Sequence, residues 1–184
     1  MAKYDYQPFE YVTPPGITTD EPCHSIVIVG AGPIGLAMAI DLAQRGIKSV
    51  VLDDNNVVSV GSRAICWAKR TLEIFDRLGV GERMLEKGVT WKIGRLFHGN
   101  EEVYNFNLLP EDSHKYPAFV NLQQYYVEQY LVERARELSQ FIDLRFKNKV
   151  TNHVDHGEYV RLDVETPDGI YNLDCRYLLA CDGA

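Results

Sequence analysis

The alternation of apolar and polar positions predicts a strand, a helix and a second strand near the start of the chain. Residues 26–29 and 50–52 are apolar runs, and the stretch between them has helical spacing up to Arg45. Gly46 follows at the position where glycine commonly ends a helix. This order predicts a βαβ unit, in which the two strands are parallel and the helix crosses over between them.

Further along the chain, the pattern predicts more helices, a hairpin and a meander. Residues 89–109 alternate in polarity around Gly99 and Asn100, which predicts a β-hairpin. The other predicted helices are residues 69–78, 81–87 and 122–138, and the other predicted strands are residues 142–146, 150–154, 159–165, 170–173 and 177–181. Together these elements predict an α/β fold, a Rossmann-like domain with a mainly parallel sheet and a small antiparallel β-meander.

The turn between the first strand and the first helix, residues 30–35, reads GAGPIG. Gly30 permits a tight turn, Gly32 lets backbone amides approach a diphosphate, and Gly35 lets the helix pack closely on the sheet. Pro33 belongs to the same predicted cofactor-binding turn, and the N-terminus of the helix favours an anion through its N–H groups and dipole. A glycine-rich turn that binds nothing is the alternative, but the complete βαβ context favours dinucleotide binding.

An acidic pair ends the second strand. Asp53 lies eighteen residues after Gly35, close to the spacing expected for a carboxylate that binds a ribose hydroxyl. Asp54 takes that role if the strand is shifted by one residue. These residues predict a dinucleotide and leave FAD and NAD as alternatives.

Composition narrows the class of partner. The 184 residues suit one domain, or one domain with part of a second, and a net charge of −7 argues against nucleic acid or an anionic membrane as partner. No apolar run reaches the length of a membrane span, and no secretory leader is recognisable. The four cysteines form no CxxC pair, so we expect a reduced, cytoplasmic protein. We assign no metal ligand, because His153 and His156 would point to opposite faces of a strand.

Three later signals, taken with the glycine turn, resemble the FAD-dependent aromatic hydroxylases. These are the class A flavoprotein monooxygenases of the para-hydroxybenzoate hydroxylase and phenol hydroxylase type. The signals are GSRA at residues 61–64, QYYVEQYL at 124–131 and YLLACDGA at 177–184. The order and spacing of several motifs make the resemblance more specific than any one of them.

The resemblance implies a set of FAD contacts. Arg63 would lie along the FAD, and Gln124 would contact its diphosphate and ribitol region. The backbone of Val150 would meet the adenine, while Asp182 and Gly183 would handle FAD and the nicotinamide nucleotide. The family usually has glutamate and then arginine where this chain has its two aspartates, which leaves a shorter carboxylate for the ribose.

The resemblance also implies an activity. In this family NADPH or NADH reduces the FAD, and O2 then supplies an oxygen atom to a small aromatic substrate, so the cofactor performs the chemistry. We therefore assign no catalytic residue. A homodimer is compatible with the sequence. The alternatives are an NAD(P)-binding dehydrogenase domain, another FAD-dependent oxidoreductase such as a halogenase or oxidase, and a non-catalytic flavin-binding fragment.

The expected organisation has two parts. Residues 1–24 show neither the helical nor the strand periodicity of apolar positions. This predicts an extended N-terminal arm, with a disordered leader as the alternative. Residues 25–184 form the expected FAD-binding domain, within which residues 89–119 begin a substrate-domain sheet. Because the chain ends directly after a strand, we expect that a C-terminal remainder is absent and that this piece alone is inactive.

Overall fold

The computed structural model describes residues 4–61, 63–111 and 113–183. The chain divides into two compact units. The sheet unit contains the residues up to Val60 and those from Glu128 onward, and the hairpin unit is Gly61–Val127.

The secondary structure alternates between the two types of element along the chain. The strands are β1 (His24–Val29), β2 (Ser49–Asp53), β3 (Cys66–Ala68), β4 (Val89–Trp91), β5 (Ile93–His98), β6 (Glu101–Asn107), β7 (Phe119–Asn121), β8 (Ile142–Phe146), β9 (Lys149–Asp155), β10 (Val160–Thr166) and β11 (Gly169–Ala180). The helices are α1 (Pro33–Gln44), α2 (Lys69–Leu78), α3 (Gly81–Lys87) and α4 (Gln124–Glu137), and Pro15–Ile17 forms one turn of 3-10 helix. No helix among these is long and apolar enough to cross a membrane.

A six-stranded sheet forms the sheet unit, in the order β8-β2-β1-β11-β10-β9. Neighbours from β8 to β11 are parallel, and β10 and β9 continue the sheet antiparallel. A buried cluster fills one region of its core and consists of Val27, Val50, Leu52, Leu162, Val164, Tyr171, Leu173 and Cys175. The predicted α/β class with a mainly parallel sheet and a small meander is confirmed.

One strand corrects the prediction. The apolar runs at residues 170–173 and 177–181 predict two strands, but β11 is continuous. Its first half pairs antiparallel with β10 and its second half parallel with β1, with Cys175 paired to both neighbours. Asp174 interrupts the apolar pattern because it lies on the accessible side and pairs with Arg161 at 2.7 Å. The polar interruption therefore marks a change of partner, not the end of a strand.

The hairpin unit contains two small sheets. One has the order β3-β7-β4, and the other is the hairpin of β5 and β6, which turns at Gly99 and Asn100 as predicted. The predicted hairpin began at residue 89, which is wrong, because Val89–Trp91 pairs with β7 instead. Helices α2 and α3 have the predicted bounds, whereas α4 is shorter than the predicted 122–138.

A buried ion pair fastens the segment before β1 to the sheet. The guanidinium of Arg145 on β8 donates to both carboxylate oxygens of Glu21, at 2.8 and 2.7 Å. These side chains are only 5% and 6% exposed. Arg145 also donates to Asp143 and to the hydroxyl of Tyr171, which in turn donates to Asn148. Every charged group of this buried network therefore has a partner, as low-dielectric surroundings require.

Candidate cofactor site

Three neighbouring parallel strands end at the same edge of the sheet unit. The N–H of Gly30, directly after β1, donates to the carbonyl of Leu52 on β2 at 2.7 Å. The N–H of Cys181, directly after β11, donates to the carbonyl of Val29 at 2.7 Å. The glycine turn thus lies between the ends of β2 and β11, at the carboxyl edge where open α/β sheets bind ligands.

Each glycine of the turn has a different environment. Gly30 has a φ of +102°, and a Cβ there would lie 2.5 Å from the carbonyl oxygen of Cys181. A Cβ on Gly35 would lie 1.9 Å from the carbonyl oxygen of Gly30, so α1 crosses the turn in backbone contact. A Cβ on Gly32 would meet no atom within 4 Å. Two of the glycines therefore permit close backbone packing, while Gly32 faces open space.

The open space lies at the N-terminus of α1. Gly32 is the N-cap and Pro33 the first helical residue, and no side chain in the described part of the chain caps this end. The first helical hydrogen bond runs from Leu36 N–H to the carbonyl of Gly32 at 3.0 Å. Helix N–H groups and the positive end of the dipole would favour an anion there, such as a diphosphate.

Asp53 places a carboxylate beside this turn. Its Oδ2 accepts a hydrogen bond from Ala31 N–H at 2.6 Å, and its Oδ1 accepts one from Asn55 N–H at 2.8 Å. Burial raises the pKa of Asp53, and these two backbone hydrogen bonds oppose the rise without cancelling it. Each oxygen retains a lone pair that could accept a ribose hydroxyl. Asp54, the alternative ribose ligand, is exposed and accepts only from the Asn55 amide among the described residues.

The corner between β8 and β9 is hydrogen-bonded to the backbone of Asp53 and of Asn55. The N–H of Asn148 donates to the carbonyl of Asp53 at 2.8 Å, and the N–H of Lys147 donates to Asn55 at 3.2 Å. Lys147 has a φ of 57°, which makes the chain turn sharply before β9. Val150 follows as a half-buried residue packed against the core cluster. The predicted adenine contact thus lies near the start of β9, and the corner before that strand is fixed to the end of β2.

Asp182 and Gly183 follow β11 at the same edge of the sheet. Both are exposed, and Gly183 has a φ of +101°. The backbone nitrogen of Asp182 is among the atoms that a Cβ on Gly30 would meet, at 2.8 Å. The chain after β11 therefore passes directly against the glycine turn. Burial, followed by the nearby charge of Asp182, raises the pKa of the Cys181 thiol.

Two of the predicted motifs meet within the hairpin unit. The side-chain Oε1 of Gln124 accepts a hydrogen bond from the N–H of Ala64 at 3.1 Å, so the start of α4 is tied to the GSRA segment. Arg63 is exposed and forms no hydrogen bond or ion pair with any residue that the structure describes. Ser62 of the same motif lies outside the described residues. The guanidinium of Arg63 is therefore available to a ligand.

Sequence reasoning missed two polar residues that support these segments. Glu128 is buried on α4, and its carboxylate accepts from the N–H and the hydroxyl of Ser59, at 2.6 and 2.7 Å. Asn148 is buried, and its side-chain amide donates to Phe146. The signal for Glu128 was present, since it is the glutamate of the QYYVEQYL motif at residues 124–131. No comparable pattern marks Asn148.

Comparison with known proteins relates this geometry to a family. Residues 24–184 match the FAD binding domain family. The chain is 31% identical over 167 residues to the para-nitrophenol 4-monooxygenase of Pseudomonas sp. (strain WBC-3), covering 89% of this chain and 41% of that protein. It is 32% identical over 160 residues to the 12-dehydrotetracycline 5-monooxygenase/anhydrotetracycline 6-monooxygenase of Streptomyces rimosus, covering 87% and 31%.

A solved structure agrees with these matches. The crystal structure of p-nitrophenol 4-monooxygenase from Pseudomonas putida DLL-E4 superimposes with a TM-score of 0.81 at 29% identity, covering 88% of this chain and 41% of that one. The chain thus spans 41% or less of the length of these relatives.

Proposed function

Because the chain belongs to the FAD binding domain family, we propose that it forms the FAD-holding portion of a monooxygenase that hydroxylates a phenolic compound with NADPH or NADH and O2. The observation that carries the proposal is the carboxyl edge of the sheet unit. There the carboxylate of Asp53 accepts a hydrogen bond from the glycine turn, which leads directly into the open N-terminus of α1. The flavin-dependent monooxygenases to which the chain is similar support the reaction type.

The ADP half of FAD belongs, in this proposal, to the sheet unit. The diphosphate lies in the open space at Gly32, against the N-terminus of α1 that Pro33 begins. Gly30 and Gly35 keep that space free by letting the backbone segments approach each other. Asp53 accepts a hydrogen bond from a ribose hydroxyl, which an ionised carboxylate does well.

The adenine and flavin contacts rest on the resemblance together with local geometry. The backbone of Val150 meets the adenine, beside the corner that is fixed to β2. Arg63 binds oxygen atoms of the cofactor, since its guanidinium is planar, always charged and unpaired among the described residues. Gln124 contacts the cofactor while it holds Ala64, and Asp182 and Gly183 contribute from the end of β11.

FAD supplies the redox chemistry when it is bound, and the residues of this chain bind and orient it. The relatives are more than twice as long as this chain, so we propose that the 184 residues bind FAD without hydroxylating a substrate. The four cysteines form no disulfide among the described residues, which suits a reducing cytoplasm.

The test is FAD titration of the purified chain and of Gly32→Ala, followed by flavin fluorescence and absorbance. A methyl group at residue 32 meets no protein atom, so the variant should unfold at the wild-type temperature when FAD is absent. The same methyl occupies the space proposed for the diphosphate, so the Kd for FAD should rise about tenfold or more, which corresponds to about 1.4 kcal/mol.

Arg45→Ala is the matched control, because it lies at the opposite end of the same helix and loses only an exposed pair with Asp41. It should bind FAD as the wild type does. Equal FAD affinity of Gly32→Ala and the wild type would remove the diphosphate from this turn. Binding of NAD(H) without FAD would favour a dehydrogenase domain.

A further inference from the structure

The N-terminal strap, residues 4–12, precedes the family match and contacts the residues that follow β2. The N–H of Phe9 donates to the carbonyl of Asn56 at 2.6 Å. In return, the side-chain amide of Asn56 donates to the carbonyl of Phe9 at 2.9 Å. The two residues are 47 positions apart in sequence. This reciprocal pair fixes one point of the strap to the loop after Asp53.

The ring of Phe9 reinforces the same point. It stacks on Phe146 at the end of β8, with ring centroids 4.7 Å apart and planes 20° from parallel. The guanidinium carbon of Arg136 on α4 lies 5.1 Å from the centre of the Phe9 ring, within the range of a cation–π interaction. Phe9 therefore joins the loop after β2, the end of β8 and α4.

The strap has further anchors on either side of Phe9. A cavity of about 780 Å³ lies along it, lined by strap residues together with α4 and β8. Outside Phe9, the polar contacts of the strap with the rest of the unit include two hydrogen bonds, from the hydroxyl of Tyr4 to Gln129 and from the hydroxyl of Tyr11 to Asp168. These two anchors contact α4 and the turn before β11, whereas Phe9 is hydrogen-bonded to the loop after β2.

That anchor lies next to the proposed ribose ligand. Asn55, the neighbour of Asn56, donates its N–H to Oδ1 of Asp53, and the other oxygen of that carboxylate binds the glycine turn. On its opposite side, the carbonyl of Asn55 accepts from Lys147. The loop that orients the Asp53 carboxylate is thus held between the β8–β9 corner and Phe9.

We propose that Phe9 is a positioning residue for the adenosine end of the dinucleotide. It holds the Asn55–Asn56 turn so that the Asp53 carboxylate stays directed at the ribose hydroxyls. The inference rests on the proposed function, because it takes Asp53 as the ribose ligand. The family match begins at residue 24, so the strap lies outside the matched domain.

The first experiment titrates the full chain with FAD and with ADP, which carries the adenosine and diphosphate alone. Phe9→Ala should raise the Kd for both ligands about fivefold to tenfold, up to about 1.4 kcal/mol. Phe9→Tyr keeps the ring and should bind as the wild type does. Tyr11→Phe is the matched control on the same strap, since it removes only a hydrogen bond to exposed Asp168, and should leave both Kd values unchanged.

The second experiment asks whether Phe9 acts through Asp53. In an Asp53→Asn background, Phe9→Ala should cause little further loss of ADP affinity, because residues that act as one unit are not additive. Each titration is made well below the unfolding temperature of its variant. A purely structural role would then lower that temperature and leave Kd unchanged.

The outcomes separate the two proposals. Unchanged Kd values in Phe9→Ala, with a wild type that binds FAD, would overturn the role of Phe9 and leave the FAD site intact. Fully additive losses in the double variant would show that Phe9 does not act through Asp53. A wild type that binds neither FAD nor ADP would overturn the proposed function itself.

Discussion

The sheet unit and the hairpin unit both contain a glycine in tight contact, but the contacted groups differ. A Cβ on Gly35 would lie 1.9 Å from a backbone oxygen, at the point where α1 crosses the turn after β1. A Cβ on Gly94 would lie 2.2 Å from the ring of Phe106, on the hairpin of β5 and β6. A ring on an accessible hairpin can rotate away, whereas a backbone oxygen in a turn between buried strands cannot. Similar distances thus describe a rigid contact in one unit and an adjustable contact in the other.

Ion pairs show the same difference. In the sheet unit, Glu21 and Arg145 form a pair whose side chains are about one-twentieth exposed. In the hairpin unit, Lys115 binds Asp76 at 2.9 Å, but their side chains are 57% and 30% exposed. Water screens the second pair and remains available to either partner if the other is removed. Removing one partner of the first pair leaves a charge without water.

The largest expected effect is therefore on the buried pair. Arg145→Ala should lower the free energy of unfolding by about 3–5 kcal/mol, because Glu21 would remain buried with only the His24 ring and the Gly16 N–H as partners. Lys115→Ala is the matched variant in the hairpin unit and should change stability only slightly. Chemical denaturation followed by circular dichroism measures both. Equal losses from the two variants would contradict the contrast between the units.

The glycine substitutions are expected to lower the free energy of unfolding by less than the loss of the buried ion pair does. Gly35→Ala should cost about 2–3 kcal/mol, in the usual range for forcing an extra methyl group into a packed region. Gly94→Ala should cost less than about 1 kcal/mol, because the Phe106 ring can shift on an accessible surface. The same denaturation experiment compares them. If Gly94→Ala were the more damaging change, the hairpin would be as rigid as the turn.

Sequence reasoning succeeded where a local pattern and a backbone requirement coincide. The glycine turn, α1 and the bounds of α2 follow from residues close together in the chain. The three-residue strands β3, β7 and β4 were missed or misassigned because their pairing depends on segments far away in sequence. The continuity of β11 was missed for the same reason, since its strand partners lie in two different parts of the chain.

In the candidate site, too, residues with a local sequence pattern were predicted, whereas residues that depend on distant contacts were not. Gly30, Gly32 and Gly35 are recognisable because their spacing reflects backbone geometry. The contact between Phe9 and Asn56 has no local signature, because nothing in either segment specifies the other. Burial of a charged helix residue such as Glu128 depends on the loop that covers it. Residues that support a site through distant contacts are therefore much harder to predict than those that form its turn.

A pH titration of stability tests whether the buried pair of Glu21 and Arg145 stabilises the fold. Burial alone would raise the pKa of Glu21, but the hydrogen bonds and charge of Arg145, followed by those of His24, lower it below its usual 4.5. An acid with a lowered pKa stabilises the fold above the unfolded pKa, and that contribution is lost as pH falls below about 4.5 through the folded pKa. We therefore expect the free energy of unfolding, measured by denaturation, to decrease as the pH is lowered below about 4.5.

Glu21→Gln provides the control, because the difference between the two pH profiles isolates this carboxyl. Asp53 contributes in the opposite direction, since burial raises its pKa and its protonation in acid favours the fold. That contribution is shared by both proteins and cancels in the difference. A Glu21→Gln profile parallel to the wild type below pH 4.5 would contradict the assignment.

The smallest effect on stability is expected on the hairpin of β5 and β6. Phe97 is 57% exposed there, beside exposed Leu96, Val103 and Tyr104. Phe97→Ser removes little area that folding buries, so the free energy of unfolding should change by less than about 0.5 kcal/mol. The same substitution removes one of the exposed apolar side chains of the hairpin, and such side chains favour association between molecules. Light scattering against concentration should therefore show less self-association, while denaturation stays unchanged. A loss of stability instead would mean that the ring packs in the folded chain and that the hairpin resembles the sheet unit more closely than its exposure indicates.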